Sequence, residues 1–238
     1  MTMKKRTLPI LAVILAIAGY MLRSALFTVA VDHKNLLVRG HPLEAVLWIC
    51  TAAVAAVAVL DSLGTTRQTN FEQCFRRSLI SALGHILAAS GILLTVLRQA
   101  MPLGPTAPVW KLVGLGSAAL LCLAGFQRAL GKRVFFGSYA LVSVFFALHL
   151  VGHYQTWCAD PQLQNYVFAF LGTLLMMVFC YQQAALCVGI GKSRQQRLAG
   201  LLAMYCCFAA MANMPDPQLY LCGGIFALTS LCRPETAE

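Results

Sequence analysis

Charged residues are scarce in this sequence of 238 residues: Asp, Glu, Lys and Arg make up 11% of it, against 59% for apolar residues. An ordinary soluble domain carries about a quarter of its residues as charge, so this chain lacks the polar residues needed to cover a globule in water. A soluble enzyme is therefore excluded. Disorder is excluded as well, because disordered chains are poor in apolar residues. The composition predicts an all-α fold, a polytopic transmembrane helical bundle.

Acidic residues are fewer still, eight in all, and none lies in the middle of a long apolar stretch. Proton- and sodium-coupled carriers commonly place an ionisable group deep in the membrane, so this absence counts against such a carrier. The ten cysteines form no C-x-x-C pair, and most lie in apolar stretches, where a thiol packs as a small apolar group. Only Cys158 and Cys222 are expected to meet on the outer side, so one disulfide between them is possible.

Eight apolar stretches are long enough to cross a bilayer, which takes about 20 mostly apolar residues. Their connections are too short to fold separately, so we expect 1–238 to form a single integral membrane domain without a soluble domain. About eight spans arranged as four consecutive hairpins are predicted, near 8–30, 43–62, 78–98, 109–129, 134–156, 163–190, 198–214 and 217–232. The basic residues Lys4 to Arg6 before the first span are also typical of a signal peptide. Cleavage of such a peptide would reduce the number of spans to seven.

The hairpins contain two short sequence matches. Asp-Pro-Gln-Leu occurs at 160–163 and again at 216–219, and Gly-Lys occurs at 131–132 and 191–192. The Asp of such a start is able to cap the helix that the proline opens. These matches leave open a duplicated hairpin unit of about a quarter of the chain, although capping chemistry alone also explains them.

The Lys and Arg residues predict the orientation in the membrane. Basic residues near span ends resist translocation, and with a cytoplasmic amino terminus 13 of the 18 fall on the inner side and 4 on the outer side. We therefore expect a multi-pass protein of the cell membrane with both termini in the cytoplasm. The inner basic residues expected to face anionic lipid are Arg76, Arg77, Lys132, Arg133, Lys192, Arg194 and Arg197.

The predicted partner is the lipid bilayer. A membrane-protein partner or a second copy of the chain is an open alternative. The net charge of +10 follows the orientation rule and does not indicate nucleic-acid binding, which requires basic residues gathered on one exposed face. No cofactor is predicted.

Arg23 is the one charged residue well inside a predicted span. One interpretation is a side chain that extends its guanidinium to water at the interface. The functional alternative is a pairing with Asp32 or Glu44 that lines the outer mouth. Arg23, Asp32 and Glu44 are accordingly candidates for a substrate path.

His149 and His153 lie four residues apart, on one face of the fifth span, where two imidazoles are able to share a metal ion. Tyr154 and Trp157 follow them, and this company favours an aromatic belt at the membrane interface. His149 and His153 are nevertheless the metal candidates of this sequence.

Ser81 and His85 also lie one turn apart, and together with the His pair they are similar to the seven-span zinc hydrolases of the ceramidase and adiponectin-receptor type. A shared zinc site is not expected, because His85 and His149 differ in depth by about 12 Å along helices that start on the same side.

Three functions stay in competition. A permease or channel for a small solute is favoured by the hairpins and by polar groups at the outer mouth. A non-catalytic subunit or sensor that binds a partner protein or lipid is favoured by the missing deep carboxylates. A metal-dependent membrane enzyme would use His149 and His153. The sequence favours this third function less than the other two.

Overall fold

Long apolar helices joined by short connections make up the part of the chain that the structure, a computed structural model, describes: residues 3–30, 37, 40–64, 77–98, 107–158, 163–212 and 214–231. The predicted all-α, membrane-type helical bundle is confirmed. In these residues the helices are α1 (Met3–Val29), α2 (Pro42–Leu63), α3 (Leu79–Leu97), α4 (Ala107–Leu130), α5 (Phe136–Trp157), α6 (Val167–Val188), α7 (Ser193–Ala210) and α8 (Pro217–Leu231). A 3-10 turn, Leu163–Tyr166, leads into α6.

Local sequence signals set several of these helix ends. The ring of His41 accepts a hydrogen bond from the backbone N–H of Leu43 at 3.3 Å, and Pro42 opens α2. The hydroxyl of Ser78 accepts one from the N–H of Ser81 and so caps α3. Gly189 ends α6 in a left-handed conformation with φ of 86°, which glycine adopts without steric cost.

Six helices, α1 to α6, contain segments long and apolar enough to cross a membrane, and α8 is a shorter apolar helix. Their outward faces carry large apolar side chains. On α1, for example, Ile10, Ile14, Ile17 and Met21 are all exposed, at the spacing that places them along one side of a helix. Such a surface is compatible with lipid and not with water, so these helices fit a multi-pass membrane protein.

Consecutive helices pack against each other in pairs, as four hairpins, and α8 returns to pack against α3. Five helices, α3, α4, α5, α6 and α8, thereby surround a common apolar centre. A cavity of about 10 Å³ lies there, among side chains that include Ile92, Leu121, Phe146, Met176 and Phe226. We call these five helices the ring.

Helix α7 lies between the ring and the hairpin α1–α2. It packs against α6 and α8 on one side and against α1 and α2 on the other, and most of its residues are buried. A helix shielded from lipid by other helices does not need an apolar surface all round, which explains why α7 is not among the membrane-type helices.

The largest difference from the predicted spans is also at α7. The prediction began this span at residue 198, beyond the charges of Arg194 and Arg197, whereas the helix begins at Ser193. Arg197 does not end the helix, because its Nε atom forms an ion pair of 2.6 Å with Oδ2 of the buried Asp61 on α2. Arg197 is thus directed towards a neighbouring helix, and only part of its side chain is exposed.

The two ends of the bundle differ in charge. At one end, which we call the basic end, Arg77, Lys132, Arg133 and Lys192 are exposed and Arg194 is partly exposed, while Arg76 is outside the described residues. At the other, which we call the site end, α2, α4, α6 and α8 begin. The predicted orientation places the basic end in the cytoplasm.

Candidate metal centre

Three potential metal ligands meet at the site end of the ring. His149 and His153 come from α5, and Asp216 immediately precedes α8. All three are buried, and one ligand atom from each lies within 4.8 Å of the other two. Nε2 of His153 is 3.9 Å from Oδ2 of Asp216.

Helix geometry accounts for this arrangement. The four-residue spacing of His149 and His153 places their rings one above the other on α5, with centroids 4.4 Å apart. Asp216 is held by the start of α8, where the N–H of Leu219 donates to the carbonyl oxygen of Asp216 at 3.1 Å. Its side-chain atom Oδ2 has no hydrogen-bond partner, so this oxygen does not serve as the helix cap that the sequence suggested.

Aromatic rings enclose the two imidazoles. Trp110 of α4 and Phe145 stack on His149, with centroids at 6.3 and 5.9 Å, and Trp157 stacks on His153 at 5.0 Å. His149 has no exposed surface. The exposed Tyr154 fits the predicted aromatic belt at the membrane interface. His149 does not, because it lies inside the protein.

The polar atoms of this cluster are not satisfied. Both ring nitrogens of His149 are buried without a hydrogen-bond partner, as are Oδ2 of Asp216 and Nε1 of Trp110. Most buried polar side-chain atoms in proteins have a partner, and each one left without costs about 1–3 kcal/mol. An imidazole with an unpartnered nitrogen is able to bind a metal ion or a water molecule at this position.

Burial also changes the acidity of the cluster. It raises the pKa of the Asp216 carboxyl to about 6, and the positive charge of Arg98, which follows α3, acts in the opposite direction without cancelling the effect. Near neutral pH the carboxylate is therefore buried and largely ionised, with two imidazoles as its neighbours. A bound cation would stabilise that state.

The dimensions fit a metal ion after a small adjustment. Zn²⁺ bonds to His nitrogen and carboxylate oxygen are about 2.0–2.2 Å long, and in tetrahedral geometry this separates two ligand atoms by about 3.4 Å. The separations of up to 4.8 Å exceed this value by about 1.4 Å. Metal binding would require rotation of the two imidazoles and the carboxylate to close this gap.

Two of the predicted substrate-path residues have other partners in the described part of the chain. Arg23 is buried and donates a hydrogen bond from Nη2 to the carbonyl oxygen of Asn165, so its guanidinium does not extend to water. Oε2 of Glu44 accepts a hydrogen bond from the N–H of Gly40 at 3.3 Å. Asp32 lies outside the described residues.

A second polar cluster lies nearer the basic end of the ring. The ring of His85 is 2.5 Å from the carbonyl oxygen of Ser81 through Nδ1 and 2.8 Å from the hydroxyl of Tyr139 through Nε2. Arg128 donates to the hydroxyl of Ser81 at 3.0 Å. His85 packs edge-on against Phe226, and its partners differ from those of His149, as the depths of the two residues predict.

The described cysteines agree with a packing role. Cys50, Cys180, Cys206 and Cys207 are buried, and Cys158 and Cys222 are free thiols. Cys74 and Cys232 lie outside the described residues.

Comparison of the chain with protein-family models, with curated proteins and with solved structures finds no match.

Proposed function

We propose that this multi-pass membrane protein binds a divalent transition-metal ion through His149, His153 and Asp216. The observation that carries the proposal is the convergence of three buried ligand atoms within 4.8 Å, with both nitrogens of His149 lacking any other partner. With the orientation that the basic residues predict, the site lies near the outer face of the membrane.

The ligand set favours Zn²⁺ over Mg²⁺ or Ca²⁺. Imidazole suits Zn²⁺ and the neighbouring transition metals, whereas Mg²⁺ and Ca²⁺ prefer oxygen ligands alone. Three protein ligands leave a fourth position open, as in zinc sites that exchange water or bind a substrate rather than in closed structural sites. Two histidines with one carboxylate also suit Fe²⁺, so the metal selectivity has to be measured.

Metal titration of the purified protein tests this proposal. Protein freed of metal by a chelator is titrated with Co²⁺, which reports its coordination by visible absorption, and then with Zn²⁺ in competition. We expect one ion per chain. His149→Ala, His153→Ala and Asp216→Asn should each weaken binding by more than roughly tenfold, because loss of a direct ligand exceeds the loss of an outer partner.

His41→Ala is the matched control, since His41 is a histidine at the same end of the bundle that caps α2. It should leave the affinity for Co²⁺ unchanged. Equal binding by the wild-type protein and the three ligand variants would refute the proposed site.

A permease or channel for a small solute is the second candidate function, and the ring favours it. The polar clusters of His149 and His85 lie on opposite sides of the apolar cavity enclosed by the ring helices. Polar groups on both sides of a short apolar barrier would suit a gated path for a small solute, since apolar constrictions gate channels by excluding water. The proposed metal ion is the natural first solute to examine.

Uptake into proteoliposomes separates this function from binding alone. Vesicles that contain the protein and a metal-sensitive dye are mixed with Zn²⁺, Mn²⁺ or Fe²⁺. A signal in wild-type vesicles that His149→Ala abolishes would support transport. Binding without uptake would assign the site to a sensor, a partner-binding subunit or an enzyme, which were the other sequence-based alternatives.

A further inference from the structure

Arg23 forms a second unusual site, on the side of the ring where α1 packs and not at its apolar centre. It lies on α1, six residues before the helix ends at Val29, or about 9 Å from that end. Its side chain is only 2% exposed. The guanidinium lies over the rings of Phe27, at 5.5 Å, and Phe168 of α6, at 4.8 Å.

The charge of Arg23 has no counter-ion in the described part of the chain. Nη2 donates to the carbonyl oxygen of Asn165, but Nη1 is buried without a hydrogen-bond partner. Two ion pairs between described residues join His153 to Asp216 and Arg197 to Asp61, and neither includes Arg23. A buried guanidinium with one free edge is unfavourable unless an anion meets it.

Hydroxyl groups surround the same position. The phenols of Tyr205 on α7 and Tyr220 on α8 are close enough to interact with the charge of Arg23. The Tyr205 hydroxyl is 2.8 Å from Oγ1 of Thr51, and the Tyr220 hydroxyl is 3.4 Å from Oγ1 of Thr173. Each threonine hydroxyl donates to a carbonyl oxygen of its own helix, so each phenol donates its hydrogen to the threonine. The guanidinium is therefore the donor that this position offers to the oxygens of an anion.

We propose that Arg23 binds a small oxyanion, the carboxylate or phosphate group of a ligand that enters from the site end beside α1 and α6. Guanidinium pairs with both groups through parallel hydrogen bonds. A phosphate group has two sources here, a phospholipid headgroup and a soluble ligand. This site takes its residues from α1, α6, α7 and α8, and none of them is a proposed metal ligand.

Anion binding by the whole purified protein tests this inference. Delipidated protein in a neutral detergent receives inorganic phosphate, acetate or phosphatidylglycerol in mixed micelles, with chloride at equal ionic strength as the reference. The readouts are the thermal unfolding temperature and the fluorescence of Trp48, whose ring stacks on Phe168 at 5.8 Å. We expect saturable changes in both, and Trp48→Phe should remove the optical change only.

Variants assign the binding to Arg23. Arg23→Gln should abolish both responses, and Arg23→Lys, which keeps the charge, should retain a weakened response. Lys111→Gln is the matched control, because it removes one positive charge from α4 at the same end of the bundle; the response should persist in it. If Arg23→Gln does not fold, the titration of the wild-type protein and Arg23→Lys still decide the question.

The outcomes separate the sources of the anion. Responses to phosphate or acetate indicate a soluble ligand, and a response to phosphatidylglycerol alone indicates a headgroup; both support the oxyanion site. The absence of any response in the wild-type protein would overturn it. So would an Asp32→Asn variant that mimics Arg23→Gln and adds nothing to it in the double variant, because Asp32 would then be the counter-ion.

Discussion

Asp216 links the candidate metal centre to pH at the level of a single residue. A carboxyl group must lose its proton before it ligates a metal ion, and burial raises the pKa of Asp216 to about 6. The groups that face it are His149 and His153 from α5 and the positive charge of Arg98 after α3. Proton and metal therefore compete for Asp216 within the physiological range of pH.

We expect the affinity for Co²⁺ to fall by about fivefold from pH 6 to pH 5, because one proton must leave Asp216 for each ion bound and the ionised fraction of a carboxyl with a pKa of about 6 falls from about one half to about one tenth. Without metal, the raised pKa favours the folded state when the carboxyl is protonated. The stability from this group is therefore present at low pH and is lost as pH rises through about 6. Zn²⁺ should accordingly raise the unfolding temperature more at pH 7.5 than at pH 5.5.

Titrations of Co²⁺ absorption and thermal unfolding across this range measure both effects. Asp216→Asn should bind more weakly and lose the part of the pH dependence that belongs to this carboxyl. An unchanged profile in Asp216→Asn would show that Asp216 is not a ligand.

Two of the three candidate ligands were predictable from the sequence. His149 and His153 are visible in the sequence because a helix brings residues four apart onto one face. Asp216 lies 63 residues beyond His153, and only the packing of α8 into the ring brings it there. An Asp before Pro at a helix start is a common capping signal. The sequence therefore predicted a helix cap at Asp216 and not a metal ligand.

At the scale of helices, the close approach of α3 and α8 closes the ring and positions Asp216. Gly91 permits this approach. A methyl group at Gly91 would lie 2.7 Å from Cβ of Cys222 and 3.2 Å from the carbonyl oxygen of Gln218 on α8. Small residues at such contacts allow helix backbones in a membrane to approach closely.

Gly91→Ala should therefore separate the two helices and lower the free energy of unfolding by about 1–3 kcal/mol, the usual cost of an overpacked contact. It should also weaken Co²⁺ binding, because Gln218 is two residues from Asp216. Gly116→Ala on α4 is the control: an added methyl group would meet only the tip of Leu141, at 3.1 Å. Denaturation followed by circular dichroism measures both variants, and equal stability would contradict the role of Gly91.

The ion pair between Asp61 and Arg197 holds the hairpin α1–α2 to α7. Asp61→Asn should lower the free energy of unfolding by about 1–3 kcal/mol, less than the 3–5 kcal/mol of a fully buried pair, because part of the Arg197 side chain reaches solvent. The double variant Asp61→Leu, Arg197→Met should be more stable than Asp61→Asn, since it leaves no buried charge. A double variant that is less stable than the single one would contradict this explanation.

The helices themselves were largely predictable, but the suggested duplication gains no support from them. After Asp216-Pro217 an α-helix begins at once, whereas the start of α6 is preceded by a 3-10 turn, Leu163–Tyr166. Gly131 has a left-handed backbone, but in the second Gly-Lys match the left-handed residue is Gly189 and not Gly191. Such short matches are typical of helix starts and turns, and the same few residues adopt different conformations in different tertiary surroundings.

The whole molecule has a basic end and a site end, and its orientation decides which compartment supplies the proposed ligands. Exposed Arg77, Lys132, Arg133 and Lys192 gather at one end of the bundle. Positive charges of this kind are retained in the cytoplasm and attracted to its anionic lipids, by about 1 kcal/mol for each residue near the surface. The candidate metal centre and Arg23 then both face the exterior.

Thiol labelling in intact cells tests this orientation. Cys158 is an exposed free cysteine that follows α5 at the site end, so a membrane-impermeant maleimide should label it from outside. In a Cys158→Ser background, Lys132→Cys at the basic end should be labelled only after permeabilisation. If Lys132→Cys were labelled in intact cells, and Cys158 of the wild-type protein were not, the orientation of the bundle would be the reverse of the predicted one. The metal centre would then draw on cytoplasmic metal, and the direction of any transport would have to be reversed.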